Sequence, residues 1–161
     1  MNPTLFVIAA PSGAGKTTLV KALVDRNPAL KFSISYTTRS QRSTEKDGRD
    51  YFFVDNTEFE HLRRDGEMLE SAVVFDNQYG TSRLQVEQHL SEGNHVILEI
   101  DWQCAQQVRD SMPDCVTVFI LPPSRLALER RLRRRKTVSN THLRPNETEA
   151  DLLCSHLLEK K

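Results

Sequence analysis

Cysteine is scarce in this sequence, and its few copies lie far apart. Only Cys104, Cys115 and Cys154 occur in 161 residues, and none forms a CxxC pair. A disulfide framework needs several pairs, and a structural zinc site needs closely spaced ligands. The sequence therefore predicts free thiols and argues against both kinds of cross-link.

Long apolar runs and an excess of one charge are also lacking. No segment reaches the roughly 18–20 apolar residues that cross a membrane, and no basic stretch followed by an apolar one opens the chain. The 22 basic residues are balanced by 22 acidic ones, so no overall field attracts nucleic acid or a lipid surface. We expect a cytoplasmic protein without nucleic-acid or membrane partners, and a homo-oligomer stays open.

What the sequence does contain is a set of apolar runs suited to one α/β domain. Residues 4–9, 95–101 and 115–121 are mainly apolar runs that do not alternate, with helix-like stretches between them. Such runs are typical of parallel strands that are covered by helices on both faces. At 161 residues and 38% apolar composition, the chain has the size of a single domain.

The middle of the chain has a different pattern. Residues 32–36 and 51–54 alternate apolar and polar side chains, which predicts half-buried antiparallel strands. Ser82 and Gln85 fit a capping box at a helix start, Gly93 fits the end of that helix, and Ser124 precedes a basic helix.

Residues 10–17, Ala-Pro-Ser-Gly-Ala-Gly-Lys-Thr, follow the first apolar run and open a helical pattern. This context fits a phosphate-binding loop, with Ala10 in place of the usual first glycine. Lys16 would contact the β- and γ-phosphates of ATP, and the Thr17 hydroxyl would face Mg²⁺. The alternative is a glycine-rich turn with a surface lysine. The residues predicted to bind ATP are Ala10, Pro11, Ser12, Gly13, Ala14, Gly15, Lys16, Thr17 and Thr18.

Arginines and tyrosines are concentrated further along the chain, at Arg39, Arg42, Arg49, Tyr51 and Tyr79. Arginine offers a planar fork to phosphate oxygens, and a tyrosine hydroxyl adds a neutral donor. These residues could form a second phosphate site or a solvated basic surface, and their composition alone does not decide between the two.

The order of several motifs is more specific. Thr37-Thr38-Arg39 is followed by Arg42, Glu45, Gly48 and residues 51–54, and then by residues 75–82, 98–103 and 119–124. Together these segments resemble the guanylate kinase family over roughly residues 4–135. The resemblance implies a P-loop NTPase-type parallel sheet flanked by helices, with a small mixed α/β GMP-binding insertion and a helical lid. It also implies transfer of a phosphoryl group from ATP, with Mg²⁺, to GMP.

The resemblance also implies residue roles. In the GMP site, a carboxylate at Glu70 would accept from the two N–H donors of guanine and reject adenine. Mg²⁺ would be held by Thr17 together with Glu99 or Asp101, in part through water, and the sequence does not divide that work. The implied GMP-binding residues are Ser35, Arg39, Arg42, Tyr51, Glu70, Tyr79, Gly80, Thr81 and Asp101. The family leads one to expect proline or glycine where this chain has Gln41, Thr44, Asp76 and Cys104.

Arg131 and Arg135, four residues apart, match lid arginines of the family, and Lys16, Arg39, Arg131 and Arg135 would be the catalytic residues. Alternatively, residues 130–136 are a generic basic run. The expected division is a core of residues 1–34 and 82–125, a GMP-binding segment 35–81, a lid 126–145 and a divergent tail 136–161. We interpret residues after about Arg135 as a divergent or frameshifted terminus. The alternative function is an impaired, truncated domain that serves only as a nucleotide- or protein-binding module.

Overall fold

The computed structural model describes residues 2–11, 13–74, 76–124, 126–128 and 130–131. The helices are α1 (Lys16–Arg26), α2 (Asn56–Arg64), α3 (Arg83–Ser91) and α4 (Trp102–Ser111). The strands are β1 (Leu5–Ala9), β2 (Leu30–Phe32), β3 (Ser35–Thr37), β4 (Phe52–Phe53), β5 (Met68–Val74), β6 (Asn77–Ser82), β7 (His95–Ile100) and β8 (Val116–Phe119). None of the helices described in these ranges is long and apolar enough to cross a membrane.

A parallel sheet with the order β2-β7-β1-β8 forms the core. The three apolar runs of the sequence correspond to β1, β7 and β8, so the prediction of parallel strands is confirmed. The expected burial on both faces is wrong for β8, an edge strand of the described sheet, in which Val116 and Val118 are 44% and 40% exposed. Val7 and Leu98 face one side and pack with residues of α3 and α4. Ile8 and Ile97 face the other side and pack with Val20 of α1. Both faces of the central strands are buried, which explains why their sequences do not alternate.

A second sheet with the order β4-β3-β6-β5 carries the middle of the chain. Strand β6 pairs antiparallel with both β3 and β5. Thr81 lies opposite Ser35 on one side and Glu70 on the other, so these three residues form a row across the sheet. Directly paired side chains share a face of the sheet. The row therefore presents three polar side chains together.

Two expectations for this region need correction. Residues 32–36 do not form one strand, because the chain leaves the parallel sheet after Phe32 and enters the second sheet at Ser35. Gln85 of α3 holds this crossing, since its Oε1 accepts from the Ser33 hydroxyl (2.9 Å) and from the Ile34 N–H (2.7 Å). Strand β4 pairs parallel with β3, not antiparallel. The long loop between the two strands lets the chain return in the same direction.

The predicted start and end of α3 are confirmed, but the described hydrogen bonds contain only the Ser82 half of the capping box, because the Gln85 side chain contacts residues 33 and 34 instead. The Ser82 side chain accepts from the Gln85 N–H at the start of α3. At the other end, Gly93 has φ +85°, and its N–H and that of Asn94 donate to Leu90 and His89, which is a Schellman motif. Asp76 has φ +62°. That left-handed conformation favours glycine, and the family pattern leads one to expect proline or glycine there.

Candidate functional site

An open cleft of about 1060 Å³ lies at the carboxyl ends of β1 and β7. The two strands are in parallel register, with Ile8 opposite Glu99 and Ala9 opposite Ile100, so the loop after β1 begins beside residues 99–101. Ligands of open α/β sheets bind at this edge. Among the sequence-predicted residues, the cleft is lined by Ala10, Pro11, Gly13, Ala14, Gly15, Lys16, Thr17, Thr18, Ser35, Tyr51, Glu70, Tyr79, Glu99, Asp101 and Arg131.

The phosphate loop ends in a helix start that no described side chain caps. Gly15 is the N-cap of α1 with φ +99°, and it makes no side-chain cap hydrogen bond. The first N–H groups of a helix have no partner within it, so those of α1 are left to face a ligand in the cleft. Ala10 does not have the positive φ that would require glycine. The departure from the usual motif is therefore tolerated by the backbone.

Lys16 and Thr17 both contact the end of β7. Lys16 Nζ donates to the Ile100 carbonyl over 2.7 Å, and Thr17 Oγ1 donates to Glu99 Oε1 over 2.5 Å. Burial lowers the pKa of Lys16, and the negative charges of Glu99 and Asp101 oppose that shift. The ammonium is thus held in place by a backbone oxygen and by nearby carboxylates at the base of the cleft.

Asp101 makes a different contact from Glu99. Its Oδ1 accepts from the Cys104 N–H over 2.8 Å and caps α4. Glu99 instead reaches the Thr17 hydroxyl, which is the group predicted to face Mg²⁺. The two carboxylates therefore have different partners in the structure.

Glu70 is a buried carboxylate on the opposite wall, with 4% of its surface exposed. The Thr81 hydroxyl donates to Glu70 Oε1 over 2.6 Å, whereas Oε2 is buried and has no hydrogen-bond partner in the described part of the chain. Burial raises the pKa of Glu70, and the hydrogen bond from Thr81 opposes that rise. An unpartnered buried oxygen is costly, so this side of the carboxylate is suited to a ligand that brings a donor.

Arg39, Tyr51 and Tyr79 form a cluster beside the cleft. The guanidinium of Arg39 lies 5.5 Å from the centre of the Tyr51 ring, and the rings of Tyr51 and Tyr79 are 6.1 Å apart. Glu45 holds Arg39 in a fork, with Nη2 to Oε1 at 2.8 Å and Nη1 to Oε2 at 3.1 Å. Burial raises the pKa of Tyr51, so its hydroxyl stays a neutral donor at physiological pH.

The remaining predicted residues differ in where they lie. The Arg42 side chain is 72% exposed and approaches Glu45 at 3.9 Å, outside the cleft wall. Thr81 is fully buried behind Glu70 and acts on it by the hydrogen bond described above. Gly80 lies in β6, and a Cβ added to it would stand 3.0 Å from the carbonyl oxygen of Glu70 in β5. Arg131 Nη1 donates to the Ala14 carbonyl at 3.1 Å. Ser12 and Arg135 lie outside the described residues, as does almost all of the predicted lid and tail.

Sequence reasoning gave no role to two residues that the structure brings into the site. Glu45 holds Arg39 and also accepts from the Arg42 N–H at 2.9 Å. The sequence carried a signal for this contact, because Glu45 stands six positions after Arg39 and three after Arg42. Cys104 lines the cleft beside Glu70 and Asp101. Its only signal was that it departed from the expected pattern.

Comparison with known proteins adds family evidence to this geometry. The guanylate kinase family profile matches residues 2–159. The chain belongs to the guanylate kinase family. It is accordingly a nucleoside monophosphate kinase, a class of transferase. The matched range extends past Arg135, to which the motifs could be followed in the sequence.

Individual relatives agree with the profile. Guanylate kinase of Aromatoleum aromaticum is 56% identical over 140 residues, which cover 87% of this chain and 69% of that protein. The enzyme of Methylococcus capsulatus is 58% identical over 132 residues, covering 82% and 65%, respectively. That of Pseudomonas fluorescens is 50% identical over 156 residues, covering 97% and 76%. The chain thus spans about two thirds to three quarters of the length of these curated relatives.

A solved structure supports the fold. The crystal structure of guanylate kinase from Anaplasma phagocytophilum matches with a TM-score of 0.68 and 33% sequence identity, over 98% of this chain and 86% of that one. This guanylate kinase match and the parallel sheet flanked by helices agree with the predicted P-loop NTPase-type class.

Proposed function

We propose that this chain catalyses the transfer of the γ-phosphoryl group of ATP to GMP, which yields ADP and GDP. Phosphorylation of GMP is the function that the family membership and the relatives support. The observation that carries the proposal for this chain is that a single cleft joins the phosphate loop to Glu70, Tyr51 and Tyr79. Phosphoryl transfer depends mainly on placing donor and acceptor in line, and a shared cleft meets that need.

The donor site consists of the loop from Ala10 to Thr18. The uncapped N–H groups at the start of α1 and the Lys16 ammonium supply positive potential for the β- and γ-phosphates of ATP. When nucleotide binds, Lys16 exchanges the Ile100 carbonyl for phosphate oxygens. Arg131, which lies over the Ala14 carbonyl, is placed to approach the same phosphates.

The acceptor site is the wall formed by the second sheet. Arg39, with Tyr51 and Tyr79, binds the phosphate of GMP, and Arg42 reaches it from the exposed loop. Ser35, Glu70 and Asp101 face the guanine, with Thr81 orienting Glu70. The unpartnered Oε2 of Glu70 accepts from a guanine N–H. Adenine presents a ring nitrogen acceptor at the position of the guanine N1–H, and an acceptor facing a carboxylate is rejected.

Thr17 and Glu99 are the residues that fit Mg²⁺. Their two oxygen atoms, one hydroxyl and one carboxylate, lie together beside the phosphate loop, and Mg²⁺ prefers oxygen ligands while keeping several waters and nucleotide phosphates. When bound, the ion neutralises charge on the phosphates of ATP.

In the reaction, an oxygen of the GMP phosphate attacks the γ-phosphorus of ATP, and the bond from that phosphorus to the β–γ bridging oxygen breaks. Lys16 and Arg39 hold the donor and acceptor phosphates, respectively, and Arg131 approaches the donor phosphates. Charge that develops on the transferred group is stabilised by cations already in place, which lowers the barrier without a covalent intermediate.

No observation favours the alternative of an impaired binding module. The features that nucleotide binding needs, namely the free helix start, Lys16 and the carboxylates of residues 99 and 101, are all present in the cleft.

A coupled assay of ADP release with ATP, Mg²⁺ and each nucleoside monophosphate tests the proposal. We expect release that depends on GMP and that falls by about 10²–10³-fold in Lys16→Ala, the loss typical of one removed transition-state donor. Lys31→Ala, which changes an exposed lysine of β2 outside the cleft, serves as the matched control and should keep wild-type turnover. Preference for AMP, or equal activity of Lys16→Ala, would contradict the assignment.

A further inference from the structure

Both chain connections between the parallel sheet and the second sheet lie next to Gln85. The chain enters the second sheet through residues 33 and 34, which follow β2 and precede β3. It leaves the second sheet where β6 ends at Ser82 and α3 begins at Arg83. Gln85 is in the first turn of α3, and its side chain reaches back to the entering connection. One side chain therefore ties the two connections together.

This contact is made by a single acceptor atom. Gln85 Oε1 accepts from the Ser33 hydroxyl at 2.9 Å and from the Ile34 N–H at 2.7 Å. Ser33 is 1% exposed, so bulk water does not replace the acceptor if it is lost. A buried donor without a partner is costly. The connection is therefore held at the place where Gln85 offers its oxygen.

Gln85 is itself fixed to the core. Its backbone N–H donates to the Ser82 side chain at 3.2 Å. The next residue, Val86, is fully buried in the cluster that also contains residues of β1 and β7. Because α3 packs on β7, the position of Gln85 Oε1 is set by the parallel sheet and not by the second sheet.

The wall that we assign to GMP begins directly after this connection. Ser35 lines the cleft and lies opposite Thr81, which in turn lies opposite Glu70. A shift of residues 33 and 34 relative to α3 would move this row relative to the phosphate loop. Transfer is sensitive to such a shift, because a misplacement of about 1 Å can cost about 10²-fold in rate.

We propose that Gln85 is a positioning residue for phosphoryl transfer, which fixes the second sheet relative to the phosphate loop. The inference rests on the proposed function, in which the second sheet binds GMP and the loop of residues 10–18 binds ATP. Gln85 is not among the described residues that line the cleft, so it acts through the wall. Since each substrate is bound mainly by one of the two units, loss of Gln85 should slow the transfer step and leave each separate affinity nearly unchanged.

Gln85→Met tests this role, because methionine keeps the length of the side chain and replaces the amide oxygen with a weak acceptor. The rate of transfer is measured in a single turnover, and the binding of GMP and of ATP, each alone, is measured by calorimetry. We expect the single-turnover rate to fall about 5- to 30-fold, the change that one or two lost hydrogen bonds can supply. Both dissociation constants should stay within about threefold of wild type, as for an interaction that acts only in the transition state.

Gln85→Glu is the conservative variant. A carboxylate oxygen accepts hydrogen bonds as an amide oxygen does, so this variant should restore most of the wild-type rate. A general loss of packing would not be repaired by adding a charge. Gln88→Met is the matched control, because Gln88 is an exposed glutamine three residues later whose amide donates to Glu92 at the end of the same helix. It should keep the wild-type rate.

Ser33→Ala tests the same contact from the other side. It removes one of the two donors to Gln85 and should lower the single-turnover rate by a smaller factor than Gln85→Met. Two residues that act through one contact have effects that do not add. Ser33→Ala should therefore cause no further loss when it is combined with Gln85→Met.

Three results would overturn the inference. The first is a wild-type single-turnover rate in Gln85→Met that is folded by circular dichroism, or in Ser33→Ala if Gln85→Met does not fold. The second is a Gln85→Glu variant as slow as Gln85→Met, and the third is a loss of GMP affinity equal to the loss of rate. In each case a wild-type chain that phosphorylates GMP leaves the proposed function intact. A wild-type chain that does not phosphorylate GMP would overturn both.

Discussion

The Thr17 hydroxyl and the Glu99 carboxylate are joined by a hydrogen bond of 2.5 Å, which connects the first turn of α1 to the end of β7. Asp101, two residues later, caps α4 instead. Neighbouring carboxylates at one strand end therefore have different partners. The contact of Glu99 favours the Mg²⁺ side of the cleft, and the position of Asp101 favours the guanine side.

Glu99→Gln should lower the apparent affinity for Mg²⁺ during turnover. An amide keeps the shape of the side chain but removes the negative charge next to Thr17, and such changes near a metal cost about 10–100-fold in affinity or activity. We expect a higher Mg²⁺ concentration for half-maximal turnover and weaker Mg²⁺-dependent ATP binding by calorimetry.

Asp101→Asn keeps the helix cap, since asparagine caps as well as aspartate. It should raise the KM for GMP without changing the Mg²⁺ requirement, and the reverse pattern would contradict this division.

Glu45→Gln should weaken GMP binding although Glu45 does not line the cleft. Its carboxylate holds Arg39 in a two-point contact and also accepts from the Arg42 N–H. Without that contact Arg39 must be oriented when GMP binds, so we expect the KM for GMP to rise about tenfold, within the range for charge-assisted contacts of this kind. Steady-state kinetics at saturating ATP would measure the change.

The control for Glu45 is Asp50→Asn. Asp50 forms an exposed pair with Arg49 at 2.6 Å in the same loop, and exposed pairs contribute little. The KM for GMP should therefore stay at the wild-type value. Arg39 lowers the pKa of Glu45, so the contact lasts as pH falls below the usual range of a carboxyl group. Equal effects of the two substitutions would show that loop charge, not the orientation of Arg39, matters.

The central strands and the phosphate loop could be predicted from the sequence because their signals are local. Residues 4–9 and 95–101 are mainly apolar without alternation, and the burial of β1 and β7 on both faces explains why. The loop before Lys16 carries small residues at the positions where its backbone must face a ligand. Such signals need no knowledge of distant contacts.

The second sheet was less predictable because distant contacts determine it. Gln85, about fifty residues further along the chain, fixes the point where residues 33 and 34 leave the parallel sheet. The direction of β4 depends on the course of a long loop, which no local pattern records. In the site, the contact of Glu99 with Thr17 depends on the packing of α1 against β7. These details require the folded structure.

Gln107→Leu should loosen the second sheet from the core. Its side-chain amide pairs with both backbone groups of Ser71, accepting from the N–H at 3.1 Å and donating to the carbonyl at 3.0 Å. Strand β5 is at the edge of its sheet, so these groups face α4 and not another strand. Two partly exposed hydrogen bonds predict a loss of about 1–2 kcal/mol in the free energy of unfolding, measured with urea.

Gln106→Leu is the matched control for this contact. Gln106 is the preceding residue of α4, and its side-chain amide donates to Asp110 within the same helix. Its replacement should change the stability by less than about 0.5 kcal/mol, as for most surface substitutions. If both leucine variants lose the same stability, the pairing of Gln107 with Ser71 does not join the sheet to the core.

Gly80→Ala should disturb Glu70 through the backbone. A Cβ at Gly80 would stand 3.0 Å from each of three atoms, namely the Glu70 carbonyl oxygen, Met68 Sδ and Phe59 Cζ. Overpacking of this kind costs about 1–3 kcal/mol. Because the Glu70 backbone must shift to make room, we expect both a lower melting temperature and a higher KM for GMP.

Gly66→Ala separates these two effects. Gly66 has φ +75°, and a methyl group added to its α-carbon would meet no described atom within 4 Å, so alanine there is strained without contacting a neighbour. The left-handed conformation costs an L-residue about 1–2 kcal/mol. We therefore expect a comparable fall in the melting temperature but an unchanged KM for GMP at a temperature where both variants are folded. A raised KM in Gly66→Ala would mean that lost stability alone, and not the displacement of Glu70, weakens GMP binding.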